Sequence, residues 1–120
     1  MGGLGASIAI AHRGNHPDVV DATLRTLNSD QLTAIDVQTD RYRAADVEAL
    51  FDRTIERFGK LDVVVHTLGR VTKTPLSEIS DEELGASIDA SLRAAFYVLR
   101  EAARRLADGG RIITLTRFRE

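Results

Sequence analysis

The chain has 120 residues, 43% of them hydrophobic and 28% charged, with a formal net charge of −2, which suits a single globular domain and excludes a disordered segment. No block of Lys and Arg gives it an electrostatic footprint for nucleic acid. With no cysteine, and with His12, His16 and His66 at no ligand spacing, disulfides, thiolate chemistry and a metal site are not expected.

The opening apolar run reaches only to Arg13 and has no basic residues before it. It is too short to cross a bilayer, so the expectation is a cytoplasmic chain without a membrane partner. Gly2-Gly3-Leu4-Gly5 would suit a dinucleotide only if a strand came before it and a helix after it. Here the β-rich run Ser7 to His12 comes directly after, so a flexible turn is the plainer reading.

Gly14 to Pro17 interrupts the chain, and Pro17 suits a first helical turn. Val20, Leu24 and Leu27 then share one helix face. A second strand is expected over 32–38 and a second helix from about Ala44 to Arg57, stopped at Gly59. Leu61 to His66, with three consecutive valines, reads as a strand buried on both faces. After a loop with Pro75, Ser80 and Glu83 form a capping box. A long helix follows, apolar at Leu84, Ile88, Leu92, Ala95, Leu99, Ala102 and Leu106, and Arg111 to Thr116 is a fourth strand.

The order β-α-β-α-β-α-β predicts an α/β fold, because helical crossovers join parallel strands. In open sheets of this kind ligands bind at the C-terminal ends of strands. Arg13, Asp40 and Gly69 all fall there. Arg13 could hold a phosphate bidentately or be a solvated turn residue. Asp40 and Gly69 fit ligand contact or turn chemistry equally. His66 titrates near neutrality in principle, and a lone His is more often structural. Ser91 reads as a Ser facing a neighbouring helix. Arg100, Arg104 and Arg105 read as a solvated face, with Glu101 able to pair with the last two.

The stretches 46–52 and 58–65 resemble the centre of the short-chain dehydrogenases/reductases. So do 75–76, 79–83, 91–96 and 109–113. The resemblance covers almost the whole chain. It implies a partial Rossmann-like three-layer fold, a four-stranded parallel sheet with three helices in one domain over 1–120. The family's first βα unit with its glycine-rich turn, and its catalytic C-terminal part, have no counterpart in these residues. Under that resemblance the family is made of NAD(P)-dependent oxidoreductases. Arg13 matches a position where a basic residue favours the 2′-phosphate of NADP. Asp40, with Arg41 beside it, matches the Asp placed near the adenine. His66-Thr67-Leu68-Gly69 stands where the family has N-N-A-G.

Arg13, Asp40, Arg41, His66 and Gly69 are thus the expected cofactor-binding residues. No catalytic residue is expected. Ser91 replaces the family's Asn, the family's Ser would fall at Arg117 or Phe118, and neither Tyr42 nor Tyr97 opens a Tyr-x-x-x-Lys. Binding of NADP or NAD by the chain itself is therefore expected to be weak or absent. The alternative is a non-catalytic module that self-associates, or pairs with a full-length relative, through the long helix and the exposed edge of the last strand. Because the family's central strand has no counterpart, the sheet is expected to close up in the order 2-1-3-4, counting this chain's strands.

Overall fold

The computed structural model describes residues 7–29, 33–67 and 73–115. In chain order the elements are β1 (Ser7–His12), α1 (Pro17–Ser29), β2 (Thr33–Gln38), α2 (Ala44–Phe58) and β3 (Val63–His66). A short 3₁₀ turn (Leu76–Glu78), α3 (Asp81–Ile88), a π turn (Asp89–Arg93), α4 (Ala94–Arg105) and β4 (Arg111–Thr114) complete it. The fold is α/β and partially Rossmann-like, as the alternating pattern predicts.

Local chemistry explains where the helices start and stop. The Ser80 hydroxyl accepts the Glu83 N–H at 3.1 Å, satisfying one of the free donors at the start of α3. At the end of α2, Gly59 adopts φ 87° and its N–H returns to the Ile55 carbonyl at 2.6 Å. The single long helix expected from Ser80 onward is one helical course with a π turn at its middle. There Arg93 Nε donates to Asp89 Oδ1 at 2.8 Å across the widened turn.

All four strands pair in parallel, but not in one closed sheet. β1 pairs with β2 from Ser7↔Thr33 to His12↔Gln38, and β3 with β4 from Val63↔Arg111 to His66↔Thr114. Among the described residues β1 and β3 do not pair, which corrects the expected 2-1-3-4 closure and the single four-stranded sheet. α2 packs on β1, α4 packs on β3, and α2 and α4 pack on each other, so the two pairs are joined through their helices. The gap between β1 and β3 falls where the resemblance places the family's central strand, which has no counterpart among the described strands.

The core joins α2 to α4. Val47, Phe51 and Ala102 are buried together, with Leu61, Val64, Tyr97, Val98 and Leu106 packed around them. Ala90 and Ala94 are also buried, so the helical course turns its small residues inward. Several of its large ones face out: Leu84, Ile88, Leu92, Phe96 and Leu99 are exposed, whereas Tyr97 and Val98 pack on the core. Along α4, Arg100 lies over the rings of Phe96 and Tyr97, 4.9 and 5.5 Å from their centroids, rather than extending into solvent. Glu101 pairs with both Arg104 and Arg105 as expected, but it does so from a buried position.

Candidate functional site

The parallel register sets the last residues of β1 and β2 side by side. His12 stands opposite Gln38, and the Thr39 N–H donates to the His12 carbonyl at 2.7 Å. The chain segments leaving both strands therefore share one C-terminal edge. Arg13, Gln38, Thr39, Asp40 and Asp46 line a concave cavity there of about 510 Å³. Its position agrees with the rule that open α/β sheets bind ligands beyond their strand C-termini.

The walls of this cavity are fixed by hydrogen bonds. Gly14, at φ 84°, donates its N–H to His12 Nδ1 at 3.0 Å. Because Nδ1 accepts, the neutral ring carries its proton on Nε2 and donates it to Asp36 Oδ2 at 2.8 Å. The turn that presents Arg13 is thereby tied to β2. A Cβ on Gly14 would lie 2.6 Å from the Gln38 amide nitrogen, the movable end of a flexible side chain, so it is the left-handed φ more than crowding that favours glycine here.

Asp40 forms an Asx turn, its Oδ1 accepting the Tyr42 N–H at 3.0 Å. Its own N–H donates to Asp46 Oδ2 at 3.0 Å, which pins the loop to the first turn of α2. The Arg41 guanidinium lies 5.0 Å from the centroid of the Tyr42 ring, and its Nη2 donates to the Tyr42 hydroxyl at 2.9 Å.

The structure thus brings Arg13 and Asp40 together. Arg41 is adjacent but committed to Tyr42, outside the cavity lining. His66 ends β3 and lines a different feature, the groove between the two sheets. It is only 4% exposed, and its ring nitrogens find no hydrogen-bond partner among the described residues. Burial holds its pKa below the ordinary histidine value. Gly69 lies outside the described residues. Ser91 is exposed within the π turn.

Sequence reasoning missed Gln38, Thr39 and Asp46 in the lining and the His12–Asp36 pair behind it. A signal existed for Asp46, an acidic residue in a first helical turn. The cross-strand pair depends on register, which no local pattern reveals.

A family model described as enoyl-(acyl carrier protein) reductase matches residues 1–120. The chain belongs to the short-chain dehydrogenases/reductases. It is 35% identical over 115 residues to the short chain dehydrogenase/reductase nsrJ of Aspergillus novofumigatus, covering 94% of this chain and 42% of that protein. A Burkholderia cenocepacia structure described as a dehydrogenase with bound NADP superposes with a TM-score of 0.87 at 34% identity. The match covers 94% of this chain and 43% of that one. A short chain dehydrogenase of Burkholderia cenocepacia in complex with NADP gives 0.85 at 27% identity, covering 94% and 46%. This short-chain dehydrogenase/reductase chain spans less than half the length of the curated relatives it matches. Among the described residues no helix is long and apolar enough to cross a membrane.

Proposed function

We propose that this chain carries the adenosine-binding side of an NAD(P)-dependent oxidoreductase acting on carbonyls or alcohols, in a cytoplasmic setting. One observation supports the reading most: Arg13 and Asp40 meet in one cavity on the C-terminal edge of the β1–β2 pair. The residues fit that part of the cofactor. Arg13 offers a planar cation to a 2′-phosphate, and Asp40 offers a carboxylate oxygen to the adenine amine. When bound, the nicotinamide supplies or accepts the hydride.

The chain's own residues do less at the other end. The 120 residues contain no Tyr-x-x-x-Lys to move a proton and no glycine-rich turn to seat a pyrophosphate on a helix N-terminus. One Arg–phosphate contact, about 1.5–3 kcal/mol, does not offset an association cost of about 4–15 kcal/mol. The chain alone therefore binds NADP weakly or not at all and does not turn over a ketone. Titration calorimetry with NADPH and NADH tests this. Micromolar binding, or NADPH oxidation against a ketone panel, would overturn it. If binding is measurable, Arg13→Ala abolishes any preference for NADPH; an unchanged preference removes the role given to Arg13.

A second reading is an interaction module. It is favoured by the outward stripe of Leu84, Ile88, Leu92, Phe96 and Leu99 and by β4, every residue of which is exposed. Such a stripe buries well against a second copy or a full-length relative. Leu92→Glu together with Phe96→Glu reduces the mass measured by light scattering at micromolar concentration. A monomeric parent chain with a sharp melt refutes this reading.

A further inference from the structure

The His12 ring ties two pieces of chain together at the edge of the Arg13 cavity. Its Nδ1 accepts the Gly14 N–H at 3.0 Å, and its Nε2 meets Asp36 Oδ2 at 2.8 Å. One partner lies in the turn after β1 and the other in β2, so the arrangement is complete within the described residues. The turn has a second tie to β2, from Gln38 Nε2 to the Arg13 carbonyl, at a long 3.4 Å. Among the described residues the ring's one ion pair is with Asp36. The loop after β2 brings Asp40 to the cavity, and α2, which packs on β1, brings Asp46. Those two carboxylates are engaged with the Tyr42 and Asp40 N–H groups. The turn itself carries Arg13 and His16, and Asp18 stands in the first turn of α1.

The two bonds ask opposite things of the ring. Gly14 needs a lone pair on Nδ1, which only the neutral ring with its proton on Nε2 provides. Asp36 needs a proton on Nε2, which both forms provide, and the charged form binds it more strongly. Protonation at Nδ1 sets donor against donor at Gly14. The ring then stays with Asp36, and the turn is what gives way. Histidine ordinarily makes this change of charge between about pH 5 and pH 8.

We propose that His12 is a proton-operated latch on the turn that carries Arg13. The neutral ring holds Gly14; the protonated ring keeps Asp36 and lets Gly14 go, leaving the turn on the long Gln38 contact. Arg13 is then less firmly placed. Resting on the adenosine reading above, the consequence is that the cavity holds a 2′-phosphate better at slightly alkaline than at mildly acid pH. His12 is in this sense a positioning residue, since both its ring nitrogens are engaged by the protein itself.

The test follows the whole isotope-labelled chain by NMR from about pH 8 to about pH 5. At the upper end the ring nitrogens are expected to show the proton on Nε2. As the ring titrates, the Gly14 amide is expected to shift with the same midpoint. Its protection from exchange, corrected for intrinsic pH dependence, is expected to fall about threefold to tenfold, the worth of one hydrogen bond. The β2 amides keep their protection, which shows that the sheet stays folded. In His12→Gln, which has a donor and an acceptor but does not titrate, the Gly14 change is expected to vanish. In His16→Gln it is expected to persist. A proton on Nδ1 at the upper end, or a Gly14 amide indifferent to the ring's titration, overturns the proposal. Both are read on the parent chain and hold whether or not a variant folds. A Gly14 change that survives His12→Gln, or that His16→Gln abolishes, overturns it as well. A second arm titrates adenosine 2′-phosphate into the parent and into His12→Gln at both ends of the range, so that the phosphate's own titration cancels. The parent is expected to lose about threefold to tenfold more affinity on acidification. Equal losses overturn the link to phosphate binding. No binding at either pH removes the adenosine reading, whereas the latch stands or falls on Gly14.

Discussion

Replacing Arg105 by Met removes a guanidinium while keeping most of its aliphatic stem, and it strikes the one buried carboxylate of α4. The Glu101 side chain is 6% exposed and takes Arg105 Nε on Oε2 at 3.1 Å. Among the described residues its other oxygen has only Arg104 Nη1, at a long 3.4 Å. The same guanidinium donates to Asp52 on α2 and approaches Glu48 at 3.9 Å, so it cross-links the two core helices. The hydrogen bond that Arg105 donates to Asp52 raises the Arg105 pKa, so the group stays charged throughout any accessible pH. Breaking a buried ion pair by deleting one partner costs about 3–5 kcal/mol. Arg105 is 22% exposed and Arg104 remains, which lowers the expectation for Arg105→Met to about 2–3 kcal/mol. Asp52 and Glu48 are each 58% exposed, so Asp52→Asn costs under about 1 kcal/mol. Urea titration reads both, and the Arg105→Met midpoint is expected to fall by about 1–2 M. Adding Glu101→Gln to Arg105→Met recovers part of the loss, because no charge is then stranded. A cost within about 0.5 kcal/mol of the parent, or a loss from Asp52→Asn as large as from Arg105→Met, refutes the assignment of the loss to Glu101.

Two further substitutions probe the backbone and the buried imidazole. Gly59→Ala keeps open space around the new Cβ but forces φ 87° on a residue that avoids it, so a loss of about 1–2 kcal/mol is expected by urea titration, and no loss means that α2 ends differently. For His66, burial lowers the folded-state pKa below 6.5. Above that pH the imidazole is neutral folded or unfolded; below it the unfolded chain takes up a proton that the folded chain refuses. Stability contributed by the neutral ring is therefore lost as pH falls below about 6.5, at up to about 1.4 kcal/mol per pH unit until the folded-state value is reached. His66→Asn removes that slope, and parallel pH profiles of the two proteins count against a buried neutral imidazole.

Elements with a strong local signature were readable in the chain. The Ser80 cap, the Gly59 stop and the apolar spacing of α2 each depend on residues within one or two turns. The site was half readable for the same reason. Arg13 and Asp40 are flagged by their position after strands, but their shared cavity comes from the β1–β2 register and from the His12–Asp36 bond, 24 residues apart. Whether β1 and β3 pair could not be read from strand patterns, because pairing between the two ribbons depends on elements far apart in the sequence. The inward face of α4 was misleading for a related reason. Alanines allow close helix approach, so the largest apolar residues are not the buried ones.

The Asn28 side chain touches the β2 backbone twice: its Oδ1 accepts the Ala34 N–H at 3.1 Å and its Nδ2 reaches the Ala34 carbonyl at 3.4 Å. One amide thus imitates a neighbouring strand for one residue and blunts the outer margin of β2. The outer margin of β4 has no such guard among the described residues. Among the described residues the two outer strands therefore differ in how their margins are met: β2 by a side-chain amide, β4 by none.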